Sequence, residues 1–202
     1  MTQRPAGAAS NSRSDERQKR ILEAFHDCVI EQSYSNTTLA DIARAADMAP
    51  SHLLYYFRGK DAILVRYFED VATRILDRIA SFKPESPERQ LELLGELFFA
   101  GKTVTQSEIG LMHECFGIAA HDERMRRIKC DFDAQCKAYL SYLFEQLPGR
   151  TRGDTRDTAE VAFAVLFGLR TAVFFDDDVD LPRALALFKR TMIELSGSIH
   201  GG

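Results

Sequence analysis

Residues 38–64 read TLADIARAADMAPSHLLYYFRGKDAIL, and the fold turns on this stretch. Thr38 stands where a helix N-cap would, with Asp41 three residues on as its capping-box partner. Leu39, Ile42, Ala43 and Ala46 then give a short helix one apolar face. Asp47-Met48-Ala49 reads as a tight turn in which Asp47 has to tolerate left-handed dihedrals, a task Gly performs better. Pro50 falls where a second helix begins, the position that tolerates a missing N–H. That helix is short, SHLLYYF, and Arg58-Gly59 ends it. Leu53 and Phe57 would pack its rear. Pro50, Ser51, His52, Tyr55 and Tyr56 would form a front of small and polar groups suited to a major groove. Two short helices joined by a tight turn, after a longer helix, are the pattern of a helix-turn-helix that binds DNA.

Upstream, Ile21, Ala24, Phe25, Cys28 and Val29 fall on one helical stripe, and residues 33–36 break it. Residues 1–14 are expected to be a mobile tail. Arg4 and Arg13 in it could enter a minor groove as an arm, although a tail without a role is the simpler expectation. Downstream, a long helix is predicted from Lys60 or Asp61 to about Phe82, with Ile63, Leu64, Tyr67, Phe68, Val71, Ile75 and Ile79 inward. Two prolines within residues 83–87 end it. Further helices are predicted at about 87–103, 106–119, 122–147, 155–175 and 181–198, with Pro148-Gly149, Gly153, the acidic run 176–178 and Pro182 in the connections. No stretch alternates with period two and no internal repeat is present. The prediction is an all-α chain: tail 1–14, an N-terminal three-helix DNA-binding domain 15–62, and a larger helical-bundle domain 63–202 for ligand binding and dimerisation.

Composition narrows the function classes. With 45% apolar and 28% charged residues among 202, the chain can bury a core beneath an ordinary soluble surface. The net charge is −4, split as +1 over residues 1–60 and −5 over 61–202, which neither requires nor forbids a DNA-facing end. The longest apolar run, 161–169, is closed by Arg170 and falls short of a membrane span. The N-terminal residues hold no apolar signal region, and the four cysteines lie among apolar neighbours as reduced thiols. A cytoplasmic protein without a membrane segment is expected.

The stretch 20–64, RILEAFHDCVIEQSYSNTTLADIARAADMAPSHLLYYFRGKDAIL, resembles the tetracycline-repressor (TetR) family, most specifically in TTLADIA followed by LLYYFRGKDAIL. The overall plan of about 200 helical residues with the helix-turn-helix first also agrees. The distal part is faintly similar to the regulatory domain of the choline–betaine regulators of that family. The resemblance implies a recognition helix over 49–57. Pro50, Ser51 and His52 would face base edges or groove walls, and Tyr55, Tyr56 and Lys60 would contact phosphates. Thr38 would offer its N–H and hydroxyl to another phosphate. Three positions depart from the family pattern. Asp47 replaces the common turn Gly, Ala49 the common capping Ser, and Leu54 a frequent Tyr, which removes one possible DNA contact. Taken singly, a paired tyrosine is commonly a core edge and a lysine after Gly is commonly just solvated; the ordered set carries the reading.

Catalytic signatures are missing. The chain has no glycine-rich phosphate loop, GxSxG or HExxH. His113 and Cys115, two apart on a helix, diverge, as do Cys130 and Cys136. The run 176–178 with Asp180 suits a helix start better than a cation. No enzyme activity, cofactor or metal is expected. In the distal part, Phe98, Met112, His113, Cys115, Phe116, Tyr139, Tyr142, Phe163 and Phe167 are the candidates to line a small-molecule cavity. It would suit an apolar or aromatic ligand with a cationic or hydrogen-bonding group. Close packing is the competing reading for each of them. Val161, Val165, Gly168, Leu169 and Ala172, with Leu185, Phe188 and Met192, suggest a four-helix dimer seam. The expectation is a homodimeric transcriptional repressor that leaves a near-palindromic, double-stranded operator when a small-molecule effector binds. The alternatives are a constitutive DNA-binding dimer and a helical-bundle carrier or enzyme.

Overall fold

The computed structural model describes residues 6–100, 105–147 and 155–197. Among them there are nine helices and no strand: α1 (Ala6–Gln32), α2 (Leu39–Ala45), α3 (Pro50–Tyr56), α4 (Lys60–Ala80), α5 (Pro87–Phe99), α6 (Gln106–Ala119), α7 (Glu123–Gln146), α8 (Thr155–Phe175) and α9 (Leu181–Leu195). Most starts are written in the local sequence. Thr38, Ser86, Thr105, Asp122 and Asp180 cap α2, α5, α6, α7 and α9, each side chain accepting the N–H three residues on. Each such cap is worth about 1 kcal/mol. Pro87 and Pro182 add the fixed φ that suits a first turn. α1 starts earlier than the predicted helix, at Ala6, where Ala6, Ala8 and Ala9 are strong helix formers, although Gly7, Ser10, Asn11 and Ser12 are weaker ones. Arg4 lies outside the described residues.

The chain divides into two compact units, Met1–Asp70 and Val71–Gly202. The division falls inside α4, beyond the 62/63 boundary expected from sequence. The extra turns belong to the first unit because Ile63, Leu64, Tyr67 and Phe68 are buried there; the Tyr67 ring lies 5.5 Å from that of Phe25. Ile21, Phe25, Ile42, Leu53, Ile63 and Leu64 are all fully buried in this unit.

The second unit is held by a core that includes Phe98, Phe99, Phe132, Leu140, Leu143, Phe144, Ala162, Leu166, Phe188 and Met192. This corrects the predicted seam. Phe188 and Met192 are buried inside the unit, and Phe188 faces α5, where a Cβ on Gly95 would come within 3.1 Å of its ring. Leu185 packs there too, at 3.0 Å from the same point. Among the apolar groups left exposed are Val161 and Phe175 of α8 and Ile193 of α9. Gly168 lies on the open side, with nothing within 4 Å of an added Cβ. α8 is long and apolar enough to cross a membrane by length and mean hydropathy, 1.6. It places Ala162 and Leu166 in the core and leaves its other apolar side uncovered.

Candidate DNA-binding site

The site is assembled on the first unit from the capping box upward. Thr38 N donates to Asp41 Oδ2 at 3.1 Å, and Asp41 N donates to Thr38 Oγ1 at 3.2 Å. The Thr38 hydroxyl also bonds Asp41 Oδ2, at 2.6 Å. The bonds from the Thr38 side chain and backbone, and then Arg44, hold the Asp41 carboxyl below its ordinary pKa. Both groups that the family resemblance assigns to a phosphate are therefore already bonded to Asp41. α2 ends in a turn that needs one left-handed residue, and Asp47 supplies it at φ 53°. Met48 N bonds Ala43 O and Asp47 N bonds Arg44 O, which closes the turn. Arg20 of α1 braces it from outside: its guanidinium donates to Ala46 O at 2.9 Å and lies 3.8 Å from Asp47 Oδ2.

α3 then begins at Pro50 with Ala49 as an N-cap that makes no side-chain bond. Leu53 is fully buried and Phe57 nearly so, which fixes the rear of the helix. Pro50, Ser51 and Tyr55 point to solvent, Tyr55 at 81% exposure, while His52 and Tyr56 are half-buried. Leu54 is exposed as well. The Tyr55 and Tyr56 rings meet edge to face at 5.1 Å. Arg17 of α1 reaches His52 and Tyr56. Lys60 is placed otherwise than a free phosphate ligand would be. Its ammonium donates to Tyr34 O at 2.7 Å and Thr37 O at 2.8 Å, and sits 4.2 Å from the centre of the Tyr34 ring. It clamps the loop that carries Thr38 and has one N–H left over.

The second unit does not gather the predicted cavity residues into one place. Phe98, Tyr139 and Phe163 line an apolar recess with Ile79, Leu94, Cys136, Leu140 and Leu166, which has room for little more than one water molecule. At its edge the Tyr139 hydroxyl donates to Oε1 of the buried Gln90 at 2.8 Å, and Gln90 Nε2 donates to Glu85 O. Burial pushes the Tyr139 phenol up to about 12. Phe163 also joins Phe116 and Phe167 in an adjoining aromatic cluster, with ring centres 4.5 Å (163 to 167) and 5.9 Å (116 to 167) apart. The Lys129 ammonium lies over it, 4.7 Å from Phe116 and 5.1 Å from Phe167, and is paired with Asp133. Asp133 Oδ1 is buried with no hydrogen-bond partner among the described residues. His113 packs among Phe116, Phe174 and Phe175, its Nε2 buried with no hydrogen-bond partner among the described residues, and burial, then Arg170, lowers its pKa. Arg170 donates to Phe98 O at 2.7 Å, and burial brings its guanidinium down to about 10, still charged at neutral pH. Cys115 is fully buried, and the loss of solvation pushes its thiol far up, so it is a core residue. Met112 is half-buried on the same helix. Tyr142 is exposed, because Leu140, Leu143 and Phe144 take the inward positions of α7.

The helix-turn-helix geometry agrees with a family model. Residues 21–67 match the model of bacterial regulatory proteins of the tetR family, and residues 87–195, over half of the chain, match that of the BetI-type transcriptional repressor C-terminal region. The chain belongs to the TetR family. A HTH-type transcriptional regulator BetI of Brucella suis is 24% identical over 185 residues, which cover 90% of this chain and 92% of that one. Two solved structures share the fold at a TM-score of 0.80. One, a TetR transcription regulator from Haloarcula marismortui, is 19% identical, with 91% of this chain and 98% of that one covered. The other, a transcriptional regulator from Saccharomonospora viridis in complex with choline, is 18% identical, with 89% and 96% covered. This TetR-family chain is thus a transcriptional regulator with a DNA-binding helix-turn-helix, and not an enzyme. Arg17, Arg20 and Gln90 are the site residues that sequence reasoning missed. Arg17 and Arg20 are charged residues of α1 and Gln90 is a polar residue near the start of α5, and none of the three belongs to a motif. A hint for Gln90 was its place on the apolar side of α5, one residue before Leu91 and four before Leu94.

Proposed function

We propose that this TetR-family regulator is a cytoplasmic, homodimeric repressor. It binds a near-palindromic operator through α3 and leaves it when a small organic cation occupies the second unit. The observation that carries the DNA half is the build of α3. Leu53 anchors it, and Pro50, Ser51, His52 and Tyr55 are held outward on a helix too short to pack a second face. Two copies related by a two-fold axis would present two such helices, which is why the operator should be an inverted repeat. The uncovered apolar side of α8, with Val161, Gly168 and Phe175, and Ile193 of α9 are the surface we assign to the dimer contact.

The cationic character of the effector is supported by Lys129. An ammonium is already seated against Phe116 and Phe167 beside a carboxylate, the chemistry that holds organic cations. The choline bound by the Saccharomonospora regulator is of the same class. Phe98, Tyr139 and Phe163 would supply the apolar wall, after the small recess beside them opens. Effector binding then lowers operator affinity by the factor by which the operator lowers effector affinity. Gel-shift titration on a duplex selected from a randomised pool tests this. Choline and related quaternary ammonium compounds should release the duplex, while a duplex held equally at every effector concentration would favour a constitutive dimer.

A further inference from the structure

The first unit holds a contact whose donor, Arg17, lies upstream of the family-model match. Arg17 Nη1 is 3.1 Å from His52 Nε2 and 3.4 Å from the Tyr56 hydroxyl. A guanidinium has donors only. His52 Nε2 therefore accepts, and the ring carries its proton on Nδ1. The His52 ring is further steadied by Tyr56, whose centre is 5.4 Å away. Nδ1 has no partner among the described residues. It is thus a fixed donor, offered by a side chain on the exposed front of α3.

We propose that Arg17 is a specificity-determining positioning residue, which sets what His52 reads by fixing its tautomer. With the proton on Nδ1, position 52 selects an acceptor on the major-groove edge: guanine N7 or O6, adenine N7, or thymine O4. It opposes the cytosine and adenine amino groups. An imidazole left to choose its tautomer would offer either a donor or an acceptor and would discriminate less. The same guanidinium donates to the Tyr56 oxygen, which leaves the Tyr56 O–H to be given outward, to a phosphate. The inference rests on the reading that His52 faces base edges.

Three variants test it: Arg17→Met, which removes the donors; Arg17→Lys, which restores one; and His52→Ala. Arg17 is exposed, so the variants should fold, and far-UV circular dichroism checks that. Long-range ¹H–¹⁵N correlation of the histidine rings in the free protein, above the imidazole titration, should show His52 protonated on Nδ1 in the wild type and in Arg17→Lys. In Arg17→Met it should show a mixture or the other tautomer. Binding sites are then selected by each protein from a randomised duplex pool. Wild type should prefer acceptor-bearing bases over cytosine at one position of each half-site. His52→Ala should lose that preference. Arg17→Met should lose on the order of fivefold at the same position, and Arg17→Lys should regain it. An unchanged tautomer in Arg17→Met, or uniform weakening on every sequence with the preference kept, overturns the role of Arg17. A preference that survives His52→Ala overturns the reading of His52 itself and the inference with it.

Discussion

Replacing Lys60 by Met separates a loop clamp from a simple phosphate contact. The ammonium makes two bonds to backbone carbonyls, Tyr34 O and Thr37 O, and lies over the Tyr34 ring. A hydrogen bond to a charged group is worth roughly 1.5–3 kcal/mol where it is buried, and an exposed cation–π contact about 0.5–1 kcal/mol. Lys60 is half-buried, so water would re-solvate the freed carbonyls in part, and the methionine keeps most of the apolar stem. The net loss should be about 2 kcal/mol. At roughly 2–4 °C per kcal/mol for a chain of this size, the melting transition should fall by about 4–8 °C. Hydrogen exchange should speed up over residues 33–38, the loop and the cap that precede α2. The assays are thermal melting by far-UV circular dichroism and exchange followed by mass spectrometry. DNA affinity would fall too, because Thr38 and the start of α2 lose their support. A melting temperature within about 1 °C of wild type, with affinity lowered and exchange unchanged, would refute the clamp and leave a phosphate contact.

Other outcomes follow from the same geometry. Gly168→Arg should leave the fold intact, because nothing lies within 4 Å of the added Cβ, yet convert dimers to monomers in light scattering and abolish operator binding. Phe116→Ala should weaken the response to quaternary ammonium compounds by roughly tenfold with DNA binding kept, as one aromatic wall beneath the cation is lost; a gel-shift titration reads it. His113 has a folded-state pKa below its unfolded value, from burial and then Arg170. The unfolded chain therefore takes up the proton first as pH falls. Stability should drop as pH goes from about 7 toward the lowered folded value and level off below it, and His113→Phe should flatten that slope in urea denaturation.

How much of this was legible depended on how far apart in sequence the partners lie. The Thr38–Asp41 box, the strain at Asp47 and Pro50 at the start of α3 were readable because each is settled within four residues. The inward pair Leu53 and Phe57 was readable from helical spacing. Arg17 on His52, Arg20 on Ala46 O and Lys60 on Tyr34 O join residues far apart in the chain, and a charged side chain does not announce which carbonyl or ring it will meet. The apolar stripe of α9 showed that Phe188 is buried but not against what; only packing reveals that α5, thinned at Gly95, takes it. Likewise, a run of aromatic residues reads the same whether it lines a cavity or fills one. The distribution of the predicted ligand residues between the recess at Tyr139 and the cluster at Lys129 followed only from the packing of α4 to α8.

The central claim, that two copies of α3 read one operator, is tested most directly by hydroxyl-radical footprinting of the purified protein on a duplex selected from a randomised pool. The account predicts two protected patches related by two-fold symmetry, with centres about one helical turn, 10–10.5 base pairs, or a whole multiple of it apart. Both should vanish together in Leu53→Ala, where the anchor of α3 is gone. A single unsymmetrical patch, or protection that survives that substitution, would contradict it.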